Sequence, residues 1–260
     1  MGAFDLFAED SPATLVLVAA RVTGLLLLAP ALSATIVPRL VKIAILVLTT
    51  ILLQPAVLPL VNNPQLTPTT IAGEVLVGLA LGLGAALIVG AAETAGDLMA
   101  VQIGLSGTAI LDPMDNSQLP SLGVFTRLFA VTLLLTLGLH YGMLEALAES
   151  FVAMPPGAER DLAGGLQALV ASGSTLFILG IRFAAPVIAV VLLTNVALAI
   201  LSRAAPQFNL LSVSFPIQIS LGLFALAAAL PAMGRTLAAW PTAYRAVVAR
   251  IAEGFVLLPR

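Results

Sequence analysis

The chain has 260 residues, of which 60% are hydrophobic and only 9% charged, with a mean hydropathy of +1.11. Soluble domains carry about 25% charged residues, so a water-bathed globule is excluded and an all-α, polytopic helical membrane protein is expected. A net charge of −2 with no basic stripe leaves no surface for nucleic acid. The absence of Cys excludes disulfides and thiolate metal sites, and the single His140 cannot build a multi-histidine metal centre.

The chain opens MGAFDLFAED, with three acids and no Lys or Arg. A secretory signal begins with a basic region, so the first apolar segment is expected to be retained. That segment covers residues 12–32 and contains Arg21. A short basic connector with Arg39 and Lys42 follows. Residues 43–73 carry no charge, and they turn loop-like at NNPQLTP, residues 62–68. A third apolar segment spans 71–92. Within it Gly78, Gly82, Ala86 and Gly90 recur every four residues, which at 3.6 residues per turn makes one small-residue ridge. Such a ridge lets a neighbouring helix approach closely.

Glu93 and Asp97 come next on one helical face, and LDPMDNSQLPS (111–121) has the composition of a loop. The apolar stretch 128–144 leads to Glu145 and Glu149, and MPPG (154–157) breaks the helix. Residues 162–202 hold one charge, Arg182. As one helix they would extend ~60 Å, against a bilayer core of ~30 Å. Either the chain turns near residues 180–186, or a long kinked helix projects beyond the membrane. RAAPQFN (203–209) ends it, and a further apolar segment covers 210–230. The tail carries Arg235, Arg245, Arg250 and Arg260 among Trp240, Tyr244, Val247, Val248, Ile251 and Phe255. This basic amphipathic helix suits either a membrane surface or a partner. The ~20-residue rule gives about six spans.

No catalytic constellation stands out. GLSGT (104–108) lacks the final Gly of a nucleophile elbow, and the only Lys, Lys42, has no glycine-rich lead. The reading is of a non-enzyme, with no metal and no cofactor. Arg21, Glu74, Glu93, Asp97, Arg127, Arg182 and Arg203 interrupt or flank apolar segments. A charge at the membrane centre costs about 2.5–3.5 kcal/mol even on the lenient scale. Each should therefore face protein, water or a partner, in an ion or substrate pathway or in helix-to-helix pairs. Gln102 and Asn195 should bond to neighbouring helices, and His140 is expected to be packed and hydrogen-bonded.

Four blocks carry a family resemblance. They are RVTGLLLLAPALSATIVPRLVK (21–42), AGDLMAVQIGLSGTAILDP (95–113), GLHYGMLEALAESFVAMPPG (138–157) and RAAPQFNLLSVSFPIQISLGL (203–223). In order and spacing the chain resembles the FliR family of export-apparatus proteins over nearly its whole length. The resemblance implies kinked helical hairpins like those of the FliP/FliQ/FliR export gate. It implies a single domain, 1–260, with residues 1–160 FliP-like and 161–260 FliQ-like. It also implies a core channel subunit of the flagellar type III protein export gate. The partners implied are FliP-like and FliQ-like subunits, other membrane export components and unfolded flagellar proteins, at the inner membrane in the flagellar basal body.

The loop after the Q-x-G-l-S block is implied to help plug the closed pore. Its candidates are Gln102, Gly104, Leu105, Ser106, Gly107, Ile110, Leu111, Asp112, Pro113 and Pro120. The candidates for intersubunit pairing or pore lining are Arg21, Glu93, Asp97, Arg127, Arg182 and Arg203, and the ridge would pack a partner helix. The alternatives are an injectisome homologue, a stand-alone secondary transporter coupling through Glu74, Glu93, Asp97 and Arg127, and a membrane scaffold.

Overall fold

The computed structural model describes residues 11–30, 32, 37–61, 65–105, 122–158, 160–205 and 210–255. Among them are nine α-helices and no strand. These are α1 (Ser11–Leu28), α2 (Arg39–Val57), α3 (Pro68–Ile103), α4 (Leu122–Thr136) and α5 (Leu139–Ala153). They continue with α6 (Leu162–Ser172), α7 (Ser174–Ala204), α8 (Leu210–Ala238) and α9 (Trp240–Phe255). A 3-10 turn at Leu58–Leu60 extends α2. The chain is a polytopic helical membrane protein.

Local chemistry sets several helix ends. Pro68 opens α3, where its missing N–H costs nothing, and the Thr67 hydroxyl accepts from the Thr70 N–H at 3.2 Å. The Asp161 carboxylate caps α6 by accepting from the Gly164 N–H at 2.9 Å. Gly138, at φ 85°, takes the left-handed conformation that other residues avoid. The chain bends there by 66° between α4 and α5.

Four helical stretches among the described residues are long and apolar enough to cross a membrane: Arg39–Leu60, Pro68–Ile103, Leu162–Ala204 and Ser214–Ala238. The bent α4–α5 pair makes up to five. About six spans are expected from the sequence; the described residues give four, or five with the bent pair, and Pro12–Leu28 is a further, shorter apolar helix. The long stretch after residue 161 does not turn near 180–186. Helix α7 runs through both Gly180 and Pro186, and the helical register breaks instead at Gly173.

Two compact units make up the chain. The first comprises Met1–Leu87, Gly138–Gly173 and Trp240–Arg260, and the second Ile88–Leu137 and Ser174–Ala239. Residues from both sides of position 160 enter each unit. Helix α3 contributes to both and is the most enclosed. Its most apolar window is 67% buried, against 17% in the α2 stretch and 28% in each of the other two.

In the first unit α3 lies against α1 at backbone distance. A Cβ on Gly78 would collide with the Arg21 carbonyl oxygen, and one on Gly24 with that of Val75. At Gly82 a Cβ would stand 2.7 Å from the Leu25 oxygen. Helix α9 closes the same unit. Its Trp240, Tyr244, Val247, Ile251 and Phe255 form a buried stripe at helical spacing. Three of these rings fill places that glycines leave open: Tyr244 at Gly84 of α3, Trp240 at Gly142 of α5, and Phe255 at Gly165 of α6. The Tyr244 hydroxyl donates to the Leu81 carbonyl at 3.1 Å. The apolar face of the tail thus packs on its own chain, while Arg245 and Arg250 remain exposed.

In the second unit α7 packs against α8, and the Gln218 amide of α8 donates to the Asn195 oxygen of α7. The C-terminal part of α3 meets α7 where Gly180 faces the Ala91 carbonyl and Thr94. It meets α4 through Gly96, opposite Gly123 and Thr126.

Candidate functional site

The densest polar arrangement among the described residues lies inside the first unit. Arg21 sits midway along α1, and Glu74 in the second turn of α3. The close glycine contacts between these helices bring the two side chains together, both fully buried. The Arg21 Nε donates to Glu74 Oε2 at 2.7 Å, and its Nη2 stands 2.6 Å from the same oxygen. The Arg21 Nη1 donates to the Ser150 hydroxyl at 3.0 Å, and Nη2 donates to the Met154 carbonyl at 2.8 Å. The Phe151 ring covers the guanidinium, 4.2 Å from its carbon. The planar five-donor fork of Arg matches this set, and a Lys ammonium would not.

The other Glu74 oxygen is equally occupied. Oε1 lies 2.9 Å from Arg160 Nη2 and accepts from the Gly157 N–H at 3.1 Å. Arg160 also donates to the Pro155 carbonyl at 3.1 Å. Two guanidinium groups therefore share one carboxylate, and the backbone carbonyls of residues 154 and 155 accept further bonds from them. A buried ion cluster holds only when its members are matched in this way. The arrangement offers no vacant nucleophile or proton acceptor; its chemistry is that of a clamp. A cavity of about 330 Å³ between the ends of α2 and α5 is lined by Leu53, Val57, Leu60, Phe151 and Val152, with Glu149 at its edge. In α9, burial raises the Tyr244 hydroxyl pKa above its ordinary value, so this group stays neutral.

The remaining candidate charges lie elsewhere. Glu93 and Arg127 stand 3.7 Å apart in the second unit, both partly exposed. Asp97 lies close to Gly123, on an exposed face. Arg182 and Arg203 are exposed and make no ion pair among the described residues. Gly78 and Gly82 of the ridge meet α1, Ala86 is half-buried, and Gly90 faces the Leu176 side chain. Of the loop candidates, Gln102 and Leu105 are exposed, and Gly104 makes a left-handed turn at φ 89°. Ser106, Gly107, Ile110, Leu111, Asp112, Pro113 and Pro120 lie outside the described residues. His140, expected to be packed, is exposed, its ring 4.0 Å from that of Tyr141.

Sequence reasoning singled out Arg21 and Glu74 as costly charges but did not pair them. It missed Arg160 altogether, because that residue sits in a polar loop where a charge looks ordinary. It also missed the aromatic stripe as an internal contact. The matching glycines at 84, 142 and 165 were the available signal.

Apolar helices of span length define the class as an integral helical membrane protein. The family model described as bacterial export proteins, family 1, matches residues 13–240. The flagellar biosynthetic protein FliR of Escherichia coli K12 is 31% identical over 214 residues, covering 81% of this chain and 82% of that one. FliR of Pectobacterium carotovorum is 33% identical over 217 residues, with the same coverage of 81% and 82%. FliR of Caulobacter vibrioides is 27% identical over 236 residues, covering 88% and 92%. The chain belongs to the FliR family of bacterial export proteins.

Proposed function

We propose that the chain is a core channel subunit of the flagellar type III protein export gate. It assembles with FliP-like and FliQ-like subunits and passes unfolded flagellar proteins across the bacterial inner membrane. It carries no catalytic site, and other parts of the machine supply the energy. The observation that carries this reading is the family match over residues 13–240, together with flagellar relatives covering four fifths of the chain. The largely uncovered apolar surfaces of α2, α7 and α8 support it. Such surfaces suit lipid or neighbouring subunits. Within this reading residues 1–160 form the FliP-like part and 161–260 the FliQ-like part.

Residues 104–123 serve as the gating loop, entered through the left-handed turn at Gly104. Glu93, Asp97, Arg127, Arg182 and Arg203 supply the charges for subunit contacts or the pore. Arg21 has its hydrogen-bond partners inside the chain, so its part is to hold the subunit's own shape. Native mass spectrometry of the tagged chain, extracted from its host in mild detergent, tests the assembly. A complex with FliP-like and FliQ-like subunits is expected. A lone species, with those partners expressed, would overturn it. Deleting residues 106–112 should make the membrane leak ions while the complex still forms. Unchanged conductance with normal secretion would remove the gating role.

A further inference from the structure

We infer that Glu74 is the centre of a latch that seats the 154–161 connection onto the α1–α3 pair and, through it, sets α6 and α9. The connection contains MPPG, which cannot continue a helix, and lies between the end of α5 and the start of α6. Pro156 is buried and Met154 half-buried, and the connection's polar attachments converge on one carboxylate. Glu74 Oε1 takes the Gly157 N–H and the Arg160 guanidinium, while Oε2 holds Arg21, which in turn holds the Met154 carbonyl. Removing the carboxylate releases both cations and an amide at once.

The connection then passes its position on. The Asp161 side chain caps α6 at Gly164, and the Asp161 N–H donates to the Phe255 carbonyl at 3.3 Å, at the end of α9. The Phe255 ring occupies the space beside Gly165 of α6. One carboxylate on α3 is thereby linked, through the connection, to the start of α6 and the end of α9. Arg21 and Glu74 meet where Gly24 and Gly78 let α1 and α3 touch.

The inference is independent of the export reading, and its test uses no partner protein. Hydrogen–deuterium exchange of the full chain in mild detergent reads it directly. Two variants are compared with the wild type. Glu74→Gln leaves two guanidinium groups without a counter-charge. Arg160→Met leaves Glu74 with Arg21 as its counter-charge. In Arg160→Met, exchange across peptides covering 154–164 and the end of α9 should rise at least tenfold. Exchange in α7 and α8 should stay at the wild-type rate. Glu74→Gln should show the same pattern more strongly, and adding Arg160→Met to it should partly restore its melting temperature. Wild-type exchange at 154–164 in Arg160→Met would overturn the latch. A uniform rise across the chain in that variant would also overturn it, since the cluster would then be a general stabiliser.

Discussion

At the scale of single residues, burial decides which charges matter to the fold. Arg21 and Glu74 are fully enclosed, and every polar atom they present is matched. Breaking a buried pair by removing one partner costs about 3–5 kcal/mol, because the other charge stays behind. Arg21→Leu should lose about that much, measured by denaturant unfolding of the detergent-solubilised chain. The Glu93–Arg127 pair is 38% and 46% exposed at 3.7 Å. Exposed pairs contribute about 0–1 kcal/mol, so Arg127→Ala should leave unfolding nearly unchanged. Tyr244 adds a pH dependence. Its hydroxyl is buried, and its folded pKa lies above the ordinary 10.0. The neutral form is favoured in the folded chain, so the stabilisation is complete below pH 10 and declines as pH rises beyond it. Melting temperatures between pH 8 and 11 should fall more steeply for the wild type than for Tyr244→Phe.

At the scale of helices, close approach replaces side-chain interlock. Gly78 meets α1 backbone, which cannot yield, whereas a Cβ on Gly90 would meet only the end of the Leu176 side chain at 3.1 Å. Ala is favoured over Gly in a helix by about 0.5–1 kcal/mol. Gly90→Ala should therefore be neutral or slightly stabilising, and Gly78→Ala should lower the melting temperature clearly. Thermal unfolding of both variants decides the point. The helices were legible from hydropathy and from the prolines and glycines that end them, because these are local signals. Spacing at 78–90 suggested a close helix approach without saying which helix; Gly78 and Gly82 meet α1, whereas Gly90 faces Leu176 of α7. The 66° bend at Gly138 depends on a positive φ that composition does not announce. Arg21 and Glu74 are 53 residues apart, and Arg21 and Ser150 are 129 apart. No periodicity links positions so distant, so the candidate site emerged only from the fold. At Pro186 the sequence allowed either a turn or a continued helix, and the helix continued.

At the scale of the whole molecule, the chain protects some helices and exposes others. Leu48 and Leu52 of α2 are 61% and 64% exposed. If this face meets other gate subunits, Leu48→Ser with Leu52→Ser should reduce co-purification of those subunits while leaving the solubilised chain's own melting temperature unchanged. Helix α3 is the opposite case. Its 36 residues extend about 54 Å at ~1.5 Å each, far beyond a hydrocarbon layer of ~30 Å, and other helices cover most of its apolar window. Lipid thickness acts on a helix through its lipid-facing surface. Reconstitution in short-tailed and then long-tailed phospholipids should therefore alter amide exchange in α2 and leave it constant in α3. A helix wrapped by its own chain carries its surroundings with it, and bilayers of unequal thickness can host it unchanged.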